Sequence, residues 1–536
     1  MTVGNIKTCL KRYHFEIFLF FLYAAFLMVV MNYHEIWRDE MRALSYAIYA
    51  DSLKDLFLSL KNEGHPGLWH IFLYFGYSII PSVVVLKIVN YLFIVSAVFL
   101  FIFYSPFTKI QKVFFIFGYF PFFSFGVISR TYSLVTLLLF VFAFFYKNRF
   151  SRPIRYGFCI ALLANTHIIS LLLSIAITLA LGAESIVKLL RGQYYRSRLS
   201  LYLLVGFLIA CAGIILSILT LIPDSNATFY IPKNSQIIYE KSFDGFFTPL
   251  KIPSESFGIP SSSIFVILCW ILYAYLFVSR PFLFLLMFAA IYSVEVFLSL
   301  YYSTPPYRIG GIVYIFLISI FWIIFSDDKN DHDSISKLFL SKWQKMDNSF
   351  KRYVNVVILL VFFLQLELSY AYVSIDLREN FSMSKEAALF IREDPRLRDS
   401  ILISEPDEFA ASILYYHMMP VYLPRENRFG PIVSWTRKNQ TELNLDELIR
   451  KSKKISQEEG KSIVLLLQHD LSPNKAGRVR TSQGRYFSYS IESLKYFHSE
   501  FEFITKFKNW GDFVNSELFR PEDYDMYLLR YDTIKP

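Results

Sequence analysis

Trp37-Arg38-Asp39-Glu40-Met41-Arg42 follows closely on an apolar run, Phe15 to Met31, and is followed in turn by Gly64-His65-Pro66-Gly67-Leu68-Trp69. An adjacent acidic pair beside a run of membrane-spanning length has two readings. It is a solvated helix start, with negative charge near the positive end of the dipole, or it is the polar centre of a site at a bilayer surface. The choice depends on where the rest of the chain places its charges.

The 536 residues are 54% hydrophobic, 19% aromatic and only 18% charged, far more apolar than an ordinary soluble protein. Apolar runs of spanning length recur from Phe15 to about Tyr370, and the remaining residues read as a soluble mixture. Two domains are therefore expected, a membrane domain over 1–371 with a first outer loop at 34–83, and a soluble domain over 372–536. The net charge of +10 lies largely in short loops between apolar runs, where it reports orientation, and no nucleic-acid signature accompanies it. Cys9, Cys159, Cys211 and Cys269 all fall in or beside the membrane half, so no disulfide framework is implied.

Lys7, Lys11 and Arg12 before the first run fit a signal peptide or a first helix with its N-terminus in the cytoplasm. The run is too long for a signal core and lacks a small-residue cleavage pattern, which favours the helix. In 34–64, Ala43, Leu44, Ala47 and Ile48 make one apolar stripe, and Leu53, Leu56, Phe57 and Leu60 make another after Asp51-Ser52. Two short helices lying on the membrane are expected. Pro66 to Ile80 would span about 22 Å as a helix, short of a core about 30 Å thick.

If that run does not cross, the loops at 105–112, 147–155, 188–198, 280 and 326–352 share a side with the N-terminus and hold 17 Lys and Arg, 20 with Lys7, Lys11 and Arg12. If it crosses, the clusters at 147–155 and 188–198 face outward, against the positive-inside rule. The non-crossing topology gives eleven helices, at 15–33, 84–104, 113–128, 132–146, 157–167, 168–187, 199–222, 263–279, 281–301, 309–326 and 353–371. The odd count puts the C-terminal domain on the outer side with Asp39. That domain shows strand-like runs at Ile401 to Ser404, Val421 to Leu423, Ser462 to Leu467, Phe501 to Phe507 and Tyr527 to Tyr531, with helical patterns such as Glu386 to Arg392 and Asp407 to Tyr416 between them. An α/β layer structure, serving as a lid or acceptor-docking module, is expected.

In this topology Asp39, Glu40, His65, Lys87, Arg130, His167 and Arg308 all lie at one side, at outer helix ends or loops. Taken singly, Lys87 and Arg130 could be snorkelling cations and His167 a helix-end residue. Two acids and several cations from separate helices facing one compartment suit transfer from an anionic lipid donor to an acceptor nucleophile. A carboxylate takes the acceptor's proton, and Arg, Lys and His neutralise the leaving phosphate. Asp39 is the expected base, with Glu40 orienting the acceptor or Asp39, helping to ligate a cation, or facing solvent.

Arg38-Asp39-Glu40, Gly64-His65-Pro66-Gly67-Leu68, Leu86-Lys87-Ile88, Ser129-Arg130-Thr131-Tyr132, Asn165-Thr166-His167 and Tyr307-Arg308, in this order, resemble the GT-C membrane glycosyltransferases. Within these the chain is most similar to the bacterial branch related to protein O-mannosyltransferases and the aminoarabinose transferase of lipid A. The resemblance covers the membrane half and implies a polytopic, mainly α helix bundle with an outer α/β domain, multi-pass in a bacterial inner membrane, its site periplasmic or lumenal. It implies an inverting enzyme that takes a polyprenyl-phosphate-linked sugar to a glycan, lipid or protein acceptor. Asp39 matches the catalytic acid, Glu40 its neighbour, His65-Pro66 the His-Pro-Pro motif, and Arg130 with Tyr132 the Arg-x-Tyr element; Lys87, Arg130, Arg308, His65 and His167 face the donor phosphate. The second Pro of the motif is Gly67 here and the usual Arg is Lys87, which keeps the charge without the bidentate fork.

His34, Glu35, Asp39 and Glu40 match no fixed metal spacing, so no cofactor is assigned beyond an optional divalent cation. The competing expectations are a transporter or flippase of lipid-linked glycans, and a glycan ligase or polymerase using a large late loop such as Pro223 to Ser263.

Overall fold

The computed structural model describes residues 3–192, 198–227, 280–301, 307–326, 334–436, 439, 441–469, 471, 475–481, 485–508 and 522–533. The chain starts with α1 (Val3–Tyr33), bent at Tyr13, whose apolar part is Arg12–Tyr33. Two short helices follow, α2 (Arg38–Ile48) and α3 (Leu53–Ser59), as their stripes predict. The run between prolines is α4 (Leu68–Ile79), only 12 residues long.

Then come α5 (Val85–Tyr104), α6 (Lys109–Ile116), a π-helix (Tyr119–Val127), α7 (Tyr132–Phe145), α8 (Pro153–Ala164), α9 (Ile168–Leu190), α10 (Arg198–Leu221), α11 (Pro281–Tyr301), α12 (Tyr307–Ser326) and α13 (Ser334–Asp376). Among the described residues eight helices are long and apolar enough to cross a membrane, and α7 with its following turn and α8 are shorter apolar helices. The expected helix at 263–279 and most of the 223–263 loop lie outside the described residues. Small residues set one close contact: a Cβ on Gly157 of α8 would sit 2.1 Å from the carbonyl oxygen of Gly206 on α10.

The segment before Arg130 departs from the expected α-helix. Residues Tyr119–Val127 form a fully buried π-helix, and buried Asn90 on α5 donates through Nδ2 to the carbonyls of Phe125 (3.3 Å) and Gly126 (2.7 Å) at its end. Hydropathy is blind to this difference, because α- and π-turns bury the same aromatic residues.

The C-terminal part is built on a four-stranded sheet in which β1 (Ile401–Glu405) runs parallel to β2 (Ile463–Leu467), and β4 (Tyr524–Leu529) is antiparallel to both β2 and β3 (Glu502–Phe507), in the order β1-β2-β4-β3. A smaller sheet pairs short strands at Glu442–Asn444, Gly477–Arg480 and Tyr486–Tyr489. The period-2 alternation of strands divides the main sheet cleanly. Ile401, Ile403, Ile463, Leu465 and Leu467 pack with the Leu445–Glu459 and Ile491–Glu500 helices. Leu402, Val464, Leu466 and Met526 on the other face belong to the same continuous core as α1, α2 and α5. One face of this sheet is therefore packed into the core of the helix bundle. Ion pairs Arg425–Glu405 (2.6 Å) and Arg485–Asp407 (3.1 Å) lie buried within the C-terminal part.

Candidate functional site

Asp39 sits in the first turn of α2 with a side chain 27% exposed, at the centre of a cluster of guanidinium groups. Arg130 Nη1 donates to its Oδ2 at 2.8 Å and Arg308 Nη2 donates to the same oxygen at 3.2 Å. Arg38 Nε lies 3.9 Å from Oδ1. The three cations come from α2 itself, from the turn before α7 and from the first turn of α12. Burial works against the Asp39 charge, but Arg130, Arg308 and Arg38 outweigh it and hold the carboxyl well below the ordinary carboxylate range. Indole and phenol faces organise the cations: Arg308 and Arg38 lie 5.5 and 5.4 Å from the Trp37 ring, and Arg130 5.5 Å from that of Tyr132.

The His65 and His167 rings are 5.3 Å apart, and His167 is 5.6 Å from Tyr132. His167 caps α9, its Nδ1 accepting from Ile169 N–H. Burial lowers both imidazoles, Arg130 and Arg308 add to the effect, and His65 falls to about 4, so both are neutral at pH 7. The Nδ1 of His65 has no hydrogen-bond partner among the described residues, an open polar position beside the arginine cluster. Two hydrogen bonds tie these segments together: Leu68 N–H donates to Asn165 O (3.1 Å), and the Thr131 hydroxyl donates to Thr166 O (3.1 Å). Gly67 also has a steric reason, since a Cβ there would lie 2.6 Å from the Phe57 ring of α3.

Lys87 does not join this set. Its ammonium donates to the carbonyls of Met31 (2.6 Å) and His34 (2.9 Å), closing the C-terminal end of α1, where a cation is favoured by the helix dipole. Arg38 takes up a place beside Asp39 that sequence reasoning did not assign to it.

Glu40 neither faces solvent nor touches the Asp39 cluster directly. It is wholly buried: Oε1 accepts from Ser129 N–H at 2.6 Å, and Oε2 accepts from Trp37 N–H at 3.3 Å and contacts His34 Nε2 at 3.2 Å. The other ring nitrogen, His34 Nδ1, lies 3.1 Å from Asp376 at the end of α13. Glu40 thus closes the start of the Asp39 helix and pins the residue before Arg130, a positioning role for both partners of the central ion pair.

Burial opposes charge on His34, yet Asp376 and Glu40 outweigh it and raise its pKa from 6.5 to about 9. A pKa raised on folding contributes stability that is complete below 6.5 and is lost as pH climbs through about 9. The full-length protein in detergent is expected to melt at lower temperature at pH 9.5 than at pH 7. His34→Gln should flatten that slope, and an equally steep slope in the variant would exclude His34 as its source.

The C-terminal half grips the same loop. Glu522 Oε1 accepts from Arg38 N–H (2.8 Å) and from Arg38 Nη1 (3.4 Å), while Ser382 Oγ donates to Glu522 Oε2 (2.6 Å). Ile36 donates its N–H to Tyr416 Oη (2.8 Å), and its carbonyl accepts from Ser384 Oγ (3.0 Å). Arg42 reaches Val433 O (2.9 Å) while paired with Glu63. A carboxylate aimed at the first N–H of a helix acts as a cap supplied from elsewhere in the chain. Glu522→Ala leaves that donor and a largely buried guanidinium short of a partner, at an expected cost of roughly 2–3 kcal/mol. A thermal melt of the intact protein checks it, and an unchanged midpoint would contradict the assigned role.

Asp39 is surrounded by three guanidiniums, and His34 has both ring nitrogens placed between carboxylates. No family model matches the chain, and neither the curated proteins nor the solved structures contain a match.

Proposed function

We propose that this chain is an inverting glycosyltransferase of the GT-C kind, moving a sugar from a polyprenyl-phosphate carrier to an acceptor at the outer membrane–water interface. The observation that supports it best is the meeting of Arg130, Arg308 and Arg38, from three separate segments, on the single carboxylate of Asp39 at one end of a bundle of membrane-length helices. In this reading the acceptor hydroxyl attacks the anomeric carbon, the carbon–oxygen bond to the phosphate breaks, and Asp39 takes the hydroxyl proton. One displacement inverts the configuration. The polyprenyl phosphate leaves with its charge held by Arg130 and Arg308, whose planar forks match phosphate oxygens.

The resting ion pairs set the order of events. With two arginines donating to it, Asp39 is a weak base. A donor phosphate drawing Arg130 and Arg308 to itself frees the carboxylate and raises its proton affinity, so the base strengthens only when the donor is bound. Neutral His65 and His167 line the same place as hydrogen-bonding groups, and Tyr132 holds Arg130. Lys87 acts at a distance, by fixing the end of α1.

The reading carries with it the eleven-helix topology and an outer, periplasmic location for Asp39 and the C-terminal domain. A transporter keeps its ionisable residues near the bilayer midplane on broken helices, whereas these gather at helix ends. Mass spectrometry of lipid-linked sugars and surface glycans, with and without the gene, tests the proposal. Loss of the gene should accumulate one lipid-linked sugar and remove that sugar from an acceptor; unchanged profiles would overturn it.

A further inference from the structure

The helices that bring Lys87, Tyr132 and Arg308 to the Asp39 end finish together at the other end of the bundle. Helices α5 and α12 have 20 residues each, so their far ends lie about 30 Å away. There, Tyr104, Tyr146, Lys147, Arg149, Trp322 and Ser326 line a cavity of about 180 Å³, several times the roughly 30 Å³ share of one water.

Its electrostatics are not neutral. Arg149 is buried and bound through Nε and Nη2 to both oxygens of Glu184, at 3.0 and 2.7 Å, and through Nη1 to Tyr146 O at 3.0 Å. Lys188 is also paired with Glu184, at 3.3 Å, so one carboxylate serves two cations. Lys147 forms no ion pair among the described residues. Among the described residues the wall therefore carries an excess of positive charge, and Tyr104 and Ser326 line the same cavity. On the outside of the same wall, Tyr104 and Phe144 are 51% and 38% exposed and meet edge-to-face at 5.0 Å, as aromatic residues do at a membrane–water boundary.

We infer that this cavity, at the end of the bundle opposite Asp39, binds the phosphate of an anionic membrane lipid, with Lys147 as the direct cation, Tyr104 and Ser326 as donors, and Tyr104 and Phe144 against the chain. The Glu184-bound Arg149 shapes the wall and does not itself need to rearrange. The bound lipid would fix the far ends of α5, α7 and α12, of which α7 and α12 start at the arginine cluster. This site requires the protein to sit in a bilayer, and it holds whether or not Asp39 performs glycosyl transfer.

The test is native mass spectrometry of delipidated full-length protein titrated with phosphatidylglycerol, phosphatidylcholine or inorganic phosphate. Wild type should retain phosphatidylglycerol in preference to phosphatidylcholine, and Lys147→Gln should bind it about fivefold more weakly, as expected for one basic residue at a lipid surface. Tyr104→Phe, a milder change, should weaken retention in the same direction. Inorganic phosphate should neither bind nor displace the lipid. Equal retention in Lys147→Gln, equal binding of the two lipids, or displacement of the lipid by inorganic phosphate would each overturn the proposal, the last by assigning the cavity to a free anion. A melting temperature equal to wild type certifies each variant as folded.

Discussion

Asp39→Asn is expected to abolish transfer while leaving the protein expressed and inserted. The amide oxygen still accepts hydrogen bonds from Arg130 and Arg308, which reach Asp39 Oδ2 at 2.8 and 3.2 Å, so the cluster keeps its shape. It cannot take the acceptor's proton. Loss of a general base lowers rates by about 10²–10⁴-fold, and that loss falls on kcat. The carboxylate also competes with the donor phosphate for the same guanidiniums, so its removal leaves them freer and the KM for donor should stay level or fall. A lower kcat with an unraised KM marks an interaction that matters in the transition state and not in ground-state binding. A variant that retained kcat within tenfold of wild type would remove Asp39 from the role of base. A raised KM with kcat intact would make it part of donor binding instead.

Much of the scaffold of this site is legible in the sequence, because hydropathy and length govern it. The short helices at Arg38–Ile48 and Leu53–Ser59, the twelve-residue Leu68–Ile79 and the strands at Ile401–Glu405 and Ile463–Leu467 lie where their periodicities place them. What the sequence hides is which charge meets which. Lys87 and Arg308 both look like cations at the start of an apolar helix, yet one is spent on the carbonyls of Met31 and His34 and the other on Asp39. Arg38 reads in the sequence only as part of the Arg38-Asp39-Glu40 motif, with nothing to mark it as a partner of that carboxylate. Its ties to Glu522, 484 residues later, show how the C-terminal half enters the site. This tie and those of Ile36 to Ser384 and Tyr416 rest on single polar atoms, in stretches without motif character. Periodicity finds faces; it does not find the one hydroxyl or carboxylate on a face that reaches across to a loop. Strands of three or four residues with exposed alternate positions, such as Gly477–Arg480, are also too short to stand out.

Glu40 shows the same limit at its sharpest, and it gives the second large expected effect. Its neighbour suggests a reacting group or a solvated one, whereas its partners are Ser129 N–H, Trp37 N–H and the His34 imidazole, all buried. Glu40→Ala removes the acceptor for two backbone donors and leaves His34 with one buried counter-charge, Asp376, in place of two. Breaking a buried charged pair from one side costs about 3–5 kcal/mol, so the Ala variant should melt well below wild type and express poorly. Glu40→Gln keeps an oxygen for Ser129 N–H, but its amide cannot satisfy Trp37 N–H and His34 together, so its melting temperature should fall between the two. Since the Ser129 bond fixes the residue before Arg130, transfer should fall in the same order as stability, wild type above Gln above Ala. A reacting Glu40 would behave differently, with Gln as stable as wild type and as inactive as Asp39→Asn. Melting curves and transfer rates of the two variants measured side by side separate these outcomes, and a stable, inactive Glu40→Gln would move Glu40 from holding the arginine turn into the chemistry itself.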